Sequence, residues 1–169
     1  VDLKWASVMF CGDDGYDWDQ GWSGRGQFWF SVENNSDKGW ECDGDDGNSQ
    51  KSFYSNPTVY NATVIGDGTG GDIALSMKEE TQGTIANSIF SNHATGVSLN
   101  NDAADANGEG AVPFYNNGTL VIKNNIFENI LTSLGAGGVT SAQILTNNVQ
   151  SSAGVIDYAY TIDLNTNAV

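Results

Sequence analysis

A chain of 169 residues is long enough for one domain with a substantial core. Its 21 acidic residues against 6 basic ones, a formal charge of −15, argue against nucleic acid and anionic membrane as partners, since both are held through clustered Lys and Arg. An aromatic content of 11% with 5 Trp excludes simple disorder, and no apolar run approaches the roughly 18 residues of a membrane-spanning helix.

The chain opens in a strand-like run, VDLKWASVMF, with no initiator Met and no signal peptide, and stops in mid-pattern at TIDLNTNAV. The expectation is one domain over residues 1–169, the mature or excised part of a longer protein. Strong helix formers are sparse, and Gly, Asn and Asp punctuate the chain at intervals typical of short strands. One phrase recurs: apolar, any, Asn or Ser, any, apolar. Its copies begin at Trp5, Trp29, Val59, Ile85, Ile122 and Leu145. A second strand follows each by about ten residues. It reads Gly15-Tyr16-Asp17-Trp18, Gly39-Trp40-Glu41-Cys42, Asp72-Ile73-Ala74-Leu75 and Gly96-Val97-Ser98-Leu99, is degenerate in the fifth copy near Leu134, and closes the series as Gly154-Val155-Ile156-Asp157. A unit of roughly 25 residues with short strands and a turn Asn is the signature of a β-solenoid. The predicted fold is therefore all-β, a right-handed parallel β-helix of about six coils with an insertion around 100–118. An ordinary β-sandwich with Asn-rich turns is the alternative.

Stacked coils lie about 4.8 Å apart, so equivalent residues form columns. Asn61, Asn87, Asn124 and Asn147 are expected to form an asparagine ladder through the turns. Inside, the expected columns are Trp5 over Trp29, Tyr16 over Trp40, Trp18 over Cys42 and Phe90 over Phe127.

The same alternation turns Asp17, Asp19, Glu41 and Asp43 outward. Stacking sets Glu41 beside Asp17 and Asp43 beside Asp19, at roughly 5 Å. Four carboxylates so placed need a counter-ion, protonation or full solvation. Asp13 and Asp14 precede the first pair, and a hard cation with oxygen ligands, Ca2+ above all, would take this set as its metal site. A solvated acidic face and a catalytic carboxylate pair are the alternatives. Ala74 and Ser76 are expected at the matching positions of the third coil, so the acidic lattice ends there. Catalysis has thin support. His93, the only His, is expected to face solvent from a turn, and no nucleophile–base–orienter set can be built around it. Cys11 and Cys42 do not make a disulfide framework, and Cys42 reads as a buried thiol. Asn117, in Asn117-Gly118-Thr119, is the best glycosylation candidate.

The segments DDGYDWDQGWSGRGQFWF, SNPTVYNATVIGDG, GTIANSIFSNHATGVSLNN and LVIKNNIFEN resemble a group of secreted bacterial right-handed parallel β-helix proteins of the pectate-lyase-like superfold. The resemblance spans most of residues 5–130. It implies the fold and a secreted, extracellular location, and it names no reaction. The expected role is a structural β-solenoid of a surface, matrix or filament protein, self-associating end to end and binding Ca2+. A carbohydrate-active enzyme or polysaccharide-binding module is the rival.

Overall fold

A computed structural model of the chain describes residues 1–44, 54–69, 72–100 and 110–152. Each turn of chain lays down three short strands separated by corners. The first coil is β1 (Asp2–Lys4), β2 (Ser7–Met9) and β3 (Tyr16–Trp18). The second is β4 (Arg25–Gln27), β5 (Phe30–Val32) and β6 (Lys38–Cys42). The third is β7 (Thr58–Tyr60), β8 (Thr63–Ile65) and β9 (Ile73–Met77). The fourth is β10 (Gly83–Ala86), β11 (Ile89–Ser91) and β12 (Thr95–Leu99). After a short helix, α1 (Val112–Asn117), the fifth follows as β13 (Leu120–Lys123), β14 (Ile126–Glu128) and β15 (Ser133–Gly137). A second helix, α2 (Ser141–Leu145), and β16 (Val149–Ser151) begin a sixth.

Every strand pairs in parallel with its counterpart one coil away. Three sheets result: β1-β4-β7-β10-β13 (sheet A), β2-β5-β8-β11-β14-β16 (sheet B) and β3-β6-β9-β12-β15 (sheet C). This is an all-β, right-handed parallel β-helix of about six coils. Of the expected insertion, 101–109 lies outside the described residues, as does the last repeat strand at 154–157. Residues 112–117 form α1, which packs on β13.

The corner between sheets A and B is one residue in the left-handed region: Trp5, Phe28, Asn61, Asn87 and Asn124, with φ of 55–63°. Asn tolerates that conformation better than other residues with a side chain, which explains the recurring turn Asn. The expected asparagine ladder is shifted by one residue. At this corner Asn61 is half-buried, and Asn87 and Asn124 are exposed, as is Asn147 one coil on. The next residue points into the tube and carries the ladder. Asn125 Oδ1 accepts from Ser88 N–H at 2.9 Å, and Asn148 Oδ1 accepts from Asn125 N–H at 3.0 Å. Ser88 Oγ continues it by accepting from Ala62 N–H at 3.0 Å. The residue that makes the turn cannot also project inward, so the two tasks fall to neighbouring positions.

The same column explains the first two coils. Trp5 is 71% exposed and stacks on Phe28 at 4.3 Å, both at the outward corner. Trp29, the inward neighbour of Phe28, is buried, so the expected Trp5–Trp29 column does not form. Gly26 makes room for it, because a Cβ there would lie 2.6 Å from the Trp29 ring. The remaining columns occur as expected: Tyr16 opposite Trp40, Trp18 opposite Cys42, and Phe90 opposite Phe127 with rings 5.3 Å apart. Trp40 is fully buried at the centre, edge-on to Tyr16, Trp29, Trp18 and Phe90. At the far end α2 takes the place of a sixth strand of sheet A. Thr140 and Gln143 close its first turn as a reciprocal capping box.

Candidate functional site

Sheet C carries the acidic face. Asp17 pairs with Glu41 in the register that alternation predicts, and Asp43, like Asp19, follows the paired Trp18–Cys42 position. Glu41 then pairs with Ser76 and Cys42 with Met77, so Lys78 takes in the third coil the position that Asp43 holds in the second. The expectation that Ala74 and Ser76 occupy these places is out by two residues. A two-residue slip keeps every side chain on its proper face, so alternation cannot detect it.

That slip hides the counter-charge. Lys78 Nζ lies 2.7 Å from Glu41 Oε1 and 3.4 Å from Asp43 Oδ2. Lys38, which pairs along the strand start, lies 3.0 Å from Glu41 Oε1 and 3.9 Å from Asp14 Oδ1. Two ammonium groups thus sit among the carboxylates for which the sequence argument invoked a cation. Asp13 is exposed and Asp19 half-buried. One oxygen each of Asp14, Asp17 and Glu41 lies within 4.8 Å of the others.

The cluster divides its carboxyls. Burial works against ionisation at Glu41, but hydrogen bonds from Lys78 and Lys38 outweigh it and hold its carboxyl below the ordinary value. Burial and the neighbouring Glu41 push Asp14 up to about 7 against the pull of Lys38. Asp43 is likewise pushed up to about 7 by burial, against the pull of Lys78 and with Glu41 and Glu79 adding to the rise. Asp17 is raised by burial and by Glu41 and Asp19. Chemically the face offers an ionised carboxylate, two carboxyls that titrate near neutrality, and two fixed cations.

A second cluster lies inside the tube, at the turn from sheet B to sheet C. His93 is fully buried there, which corrects its expected solvent-facing position. Its Nδ1 lies 2.8 Å from Asp72 Oδ1 and 3.8 Å from Glu33 Oε2, and both acids are buried. Ser31 Oγ donates to Glu33 Oε1 at 3.3 Å. Glu33 Oε2, Asp72 Oδ2 and His93 Nε2 are buried with no hydrogen-bond partner. Burial pushes Glu33 up to about 7 despite the opposing effect of His93. Three glycines make the space. A Cβ on Gly66 would fall 2.3 Å from Asp72 Oδ2 and 2.5 Å from His93 Nδ1, and one on Gly15 would fall 2.9 Å from Glu33 Oε1. One on Gly39 would lie 3.1 Å from His93 Cε1.

Coil geometry and sheet order agree with the sequence family that matches. The family model described as a pectate-lyase like beta helix domain covers residues 1–160. The chain belongs to this family. No curated protein and no solved structure matches it. Membership in this β-helix domain family establishes the scaffold, and the function must be argued from the sites.

Two remaining candidates have simple places in the β-helix domain. Cys11 and Cys42 are both free, and burial holds the Cys42 thiol well above its ordinary value. Asn117 is exposed at the end of α1, where its Oδ1 accepts from Thr119 N–H at 3.0 Å and Thr119 Oγ1 at 2.7 Å. The side chains missed by sequence reasoning are Lys38, Lys78, Glu33 and Asp72. Lys78 follows Met77 as Asp43 follows Cys42, a signal available once coils two and three are aligned on Trp40 and Leu75.

Proposed function

We propose that this chain is a structural β-solenoid module that associates with a second copy through its first coil. The observation that carries the reading is that, among the described residues, no strand pairs with the outer side of that coil. Phe30 N–H donates to the Ala6 carbonyl and Phe10 N–H to the Val32 carbonyl, both at 2.9 Å. By alternation Ser7 and Met9 direct their N–H and C=O groups away from coil two. Leu3, Trp5, Met9 and Phe10 are exposed on this same coil. Unpaired strand edges bearing apolar side chains take up other strands, and a second copy offers strands at the matching coil spacing. A secreted, extracellular setting, expected from the family resemblance, is part of this proposal.

Light scattering over a concentration series, with electron microscopy, tests the reading. The unmodified chain is expected to associate, and Met9→Lys, which places a charge on the open edge while leaving the bonds to coil two intact, is expected to be monomeric. A wild-type chain that stays monomeric throughout overturns the proposal.

Ca2+ is not required for this reading, because Lys38 and Lys78 already offset the acidic face. An ion that does bind there would take the Asp14, Asp17 and Glu41 oxygens. A carbohydrate-active or sugar-binding role is the second reading, favoured by one observation. Asp14 and Asp43, both near 7, flank a Glu41 held low. Carboxyls driven apart in this way suit acid and base roles. Polysaccharide cleavage that is lost in Glu41→Gln would favour it over the structural reading.

A further inference from the structure

We propose that Glu33, Asp72 and His93 form a buried site for a divalent transition metal of the Zn2+ or Mn2+ class, tying coils two, three and four together. One ligand atom from each lies within 4.8 Å of the other two, and all three residues are closed to solvent. One imidazole nitrogen with two carboxylates is a donor set such ions accept.

Charge is the first argument. Two carboxylates are buried here, and the only ion-pair partner of either among the described residues is His93. Buried charges are costly unless matched. A divalent ion with neutral His93 matches both carboxylates at once. Protons would neutralise the cluster too, but each proton bridges a single pair. A proton between His93 and Asp72 leaves Glu33 Oε2 and Asp72 Oδ2 without partners, which is how they stand.

Geometry is the second. An ion bound at about 2.1 Å to each ligand holds them roughly 3.4 Å apart in a tetrahedral site. The Nδ1 to Oδ1 and Nδ1 to Oε2 separations of 2.8 and 3.8 Å lie on either side of that spacing. Seating the ion opens one and closes the other by about half an ångström, well within side-chain freedom. Gly66 is the third. A side chain there would occupy the place between Asp72 and His93, and its absence leaves the ligands room to turn.

Because the site is closed, the test is refolding of the full chain from denaturant with Zn2+ or Mn2+ alone, then removal of loose metal and elemental analysis. About one equivalent per chain is expected in the wild type and in the Asn117→Ala control, whose altered residue is exposed at the end of α1, away from both clusters. The melting temperature should rise by about 5–10 °C when metal exceeds its Kd by about 100-fold. Glu33→Gln and His93→Gln should lose both effects. Should these variants fail to fold, Co2+-loaded wild type is read by its visible spectrum, where a nitrogen–oxygen ligand set is expected. Wild type that refolds but retains no metal and shows no shift overturns the site and leaves the cluster held by protons alone.

Discussion

Replacing Asn125 with Ala distinguishes the ladder from the corner beside it. Asn125 is fully buried, and its Oδ1 accepts from Ser88 N–H at 2.9 Å. Its Nδ2 donates to the Ile85 carbonyl and to Asn148 Oδ1, both at 3.1 Å. Truncation strands the Ser88 amide, at about 1–3 kcal/mol for a buried donor, and removes two further bonds at about 1 kcal/mol each. The expected loss is about 3–5 kcal/mol. Asn124→Ala is the control. Its side chain is exposed and its φ is 55°, so only the left-handed backbone preference is lost, about 1 kcal/mol. Asn124→Gly should be nearly neutral, because Gly adopts that conformation freely. Urea midpoints read by circular dichroism measure all three. If Asn125→Ala falls within about 1 kcal/mol of Asn124→Ala, the inward ladder carries little, and the reasoning fails.

Two further experiments address the charged clusters. Glu33 titrates near 4.5 when unfolded and near 7 in the metal-free fold, so the folded chain holds the extra proton between those values. Its contribution is fully present below pH 4.5, declines as pH rises to 7, and amounts to about 3 kcal/mol at about 1.4 kcal/mol per unit. Glu33→Gln should flatten that fall. Asp14 and Asp43 act in the same direction from more exposed positions, and the lowered Glu41 opposes them. Urea midpoints from pH 4 to 8 that rise for the wild type, or fall just as steeply in the variant, would contradict this assignment. On the outer face, removing both Lys38 and Lys78 by substitution with Met should create a Ca2+ response. The wild type is expected to show little change in melting temperature with millimolar Ca2+, whereas the double variant should be stabilised by several degrees. An equal response in both would show that the lysines do not compete with the ion.

Local pattern determined a good deal of this protein. Asn61, Asn87 and Asn124 sit at left-handed corners because that conformation suits Asn, and the residue type at each corner is written in the chain. From Val59 through Ile85 to Ile122 the copies align as the repeat phrase aligns them. Alternation placed Asp17 beside Glu41, since the period of a strand is local. The first two coils misled because Trp5 and Phe28 take the corner position that Asn holds elsewhere. The phrase then slips by two residues in the first coil, where Leu3 holds the strand position, and by three in the second, where Gly26 does. Only tertiary structure decided what the stacking brings together. Lys78 reaches Glu41 because the third coil's register sets it there. Glu33, Asp72 and His93 come from three successive coils and meet inside the tube. Corners have no period, so no spacing rule tells whether a corner residue points inward or outward. The packing of neighbouring coils, including the room left at Gly15, Gly39 and Gly66, makes that choice.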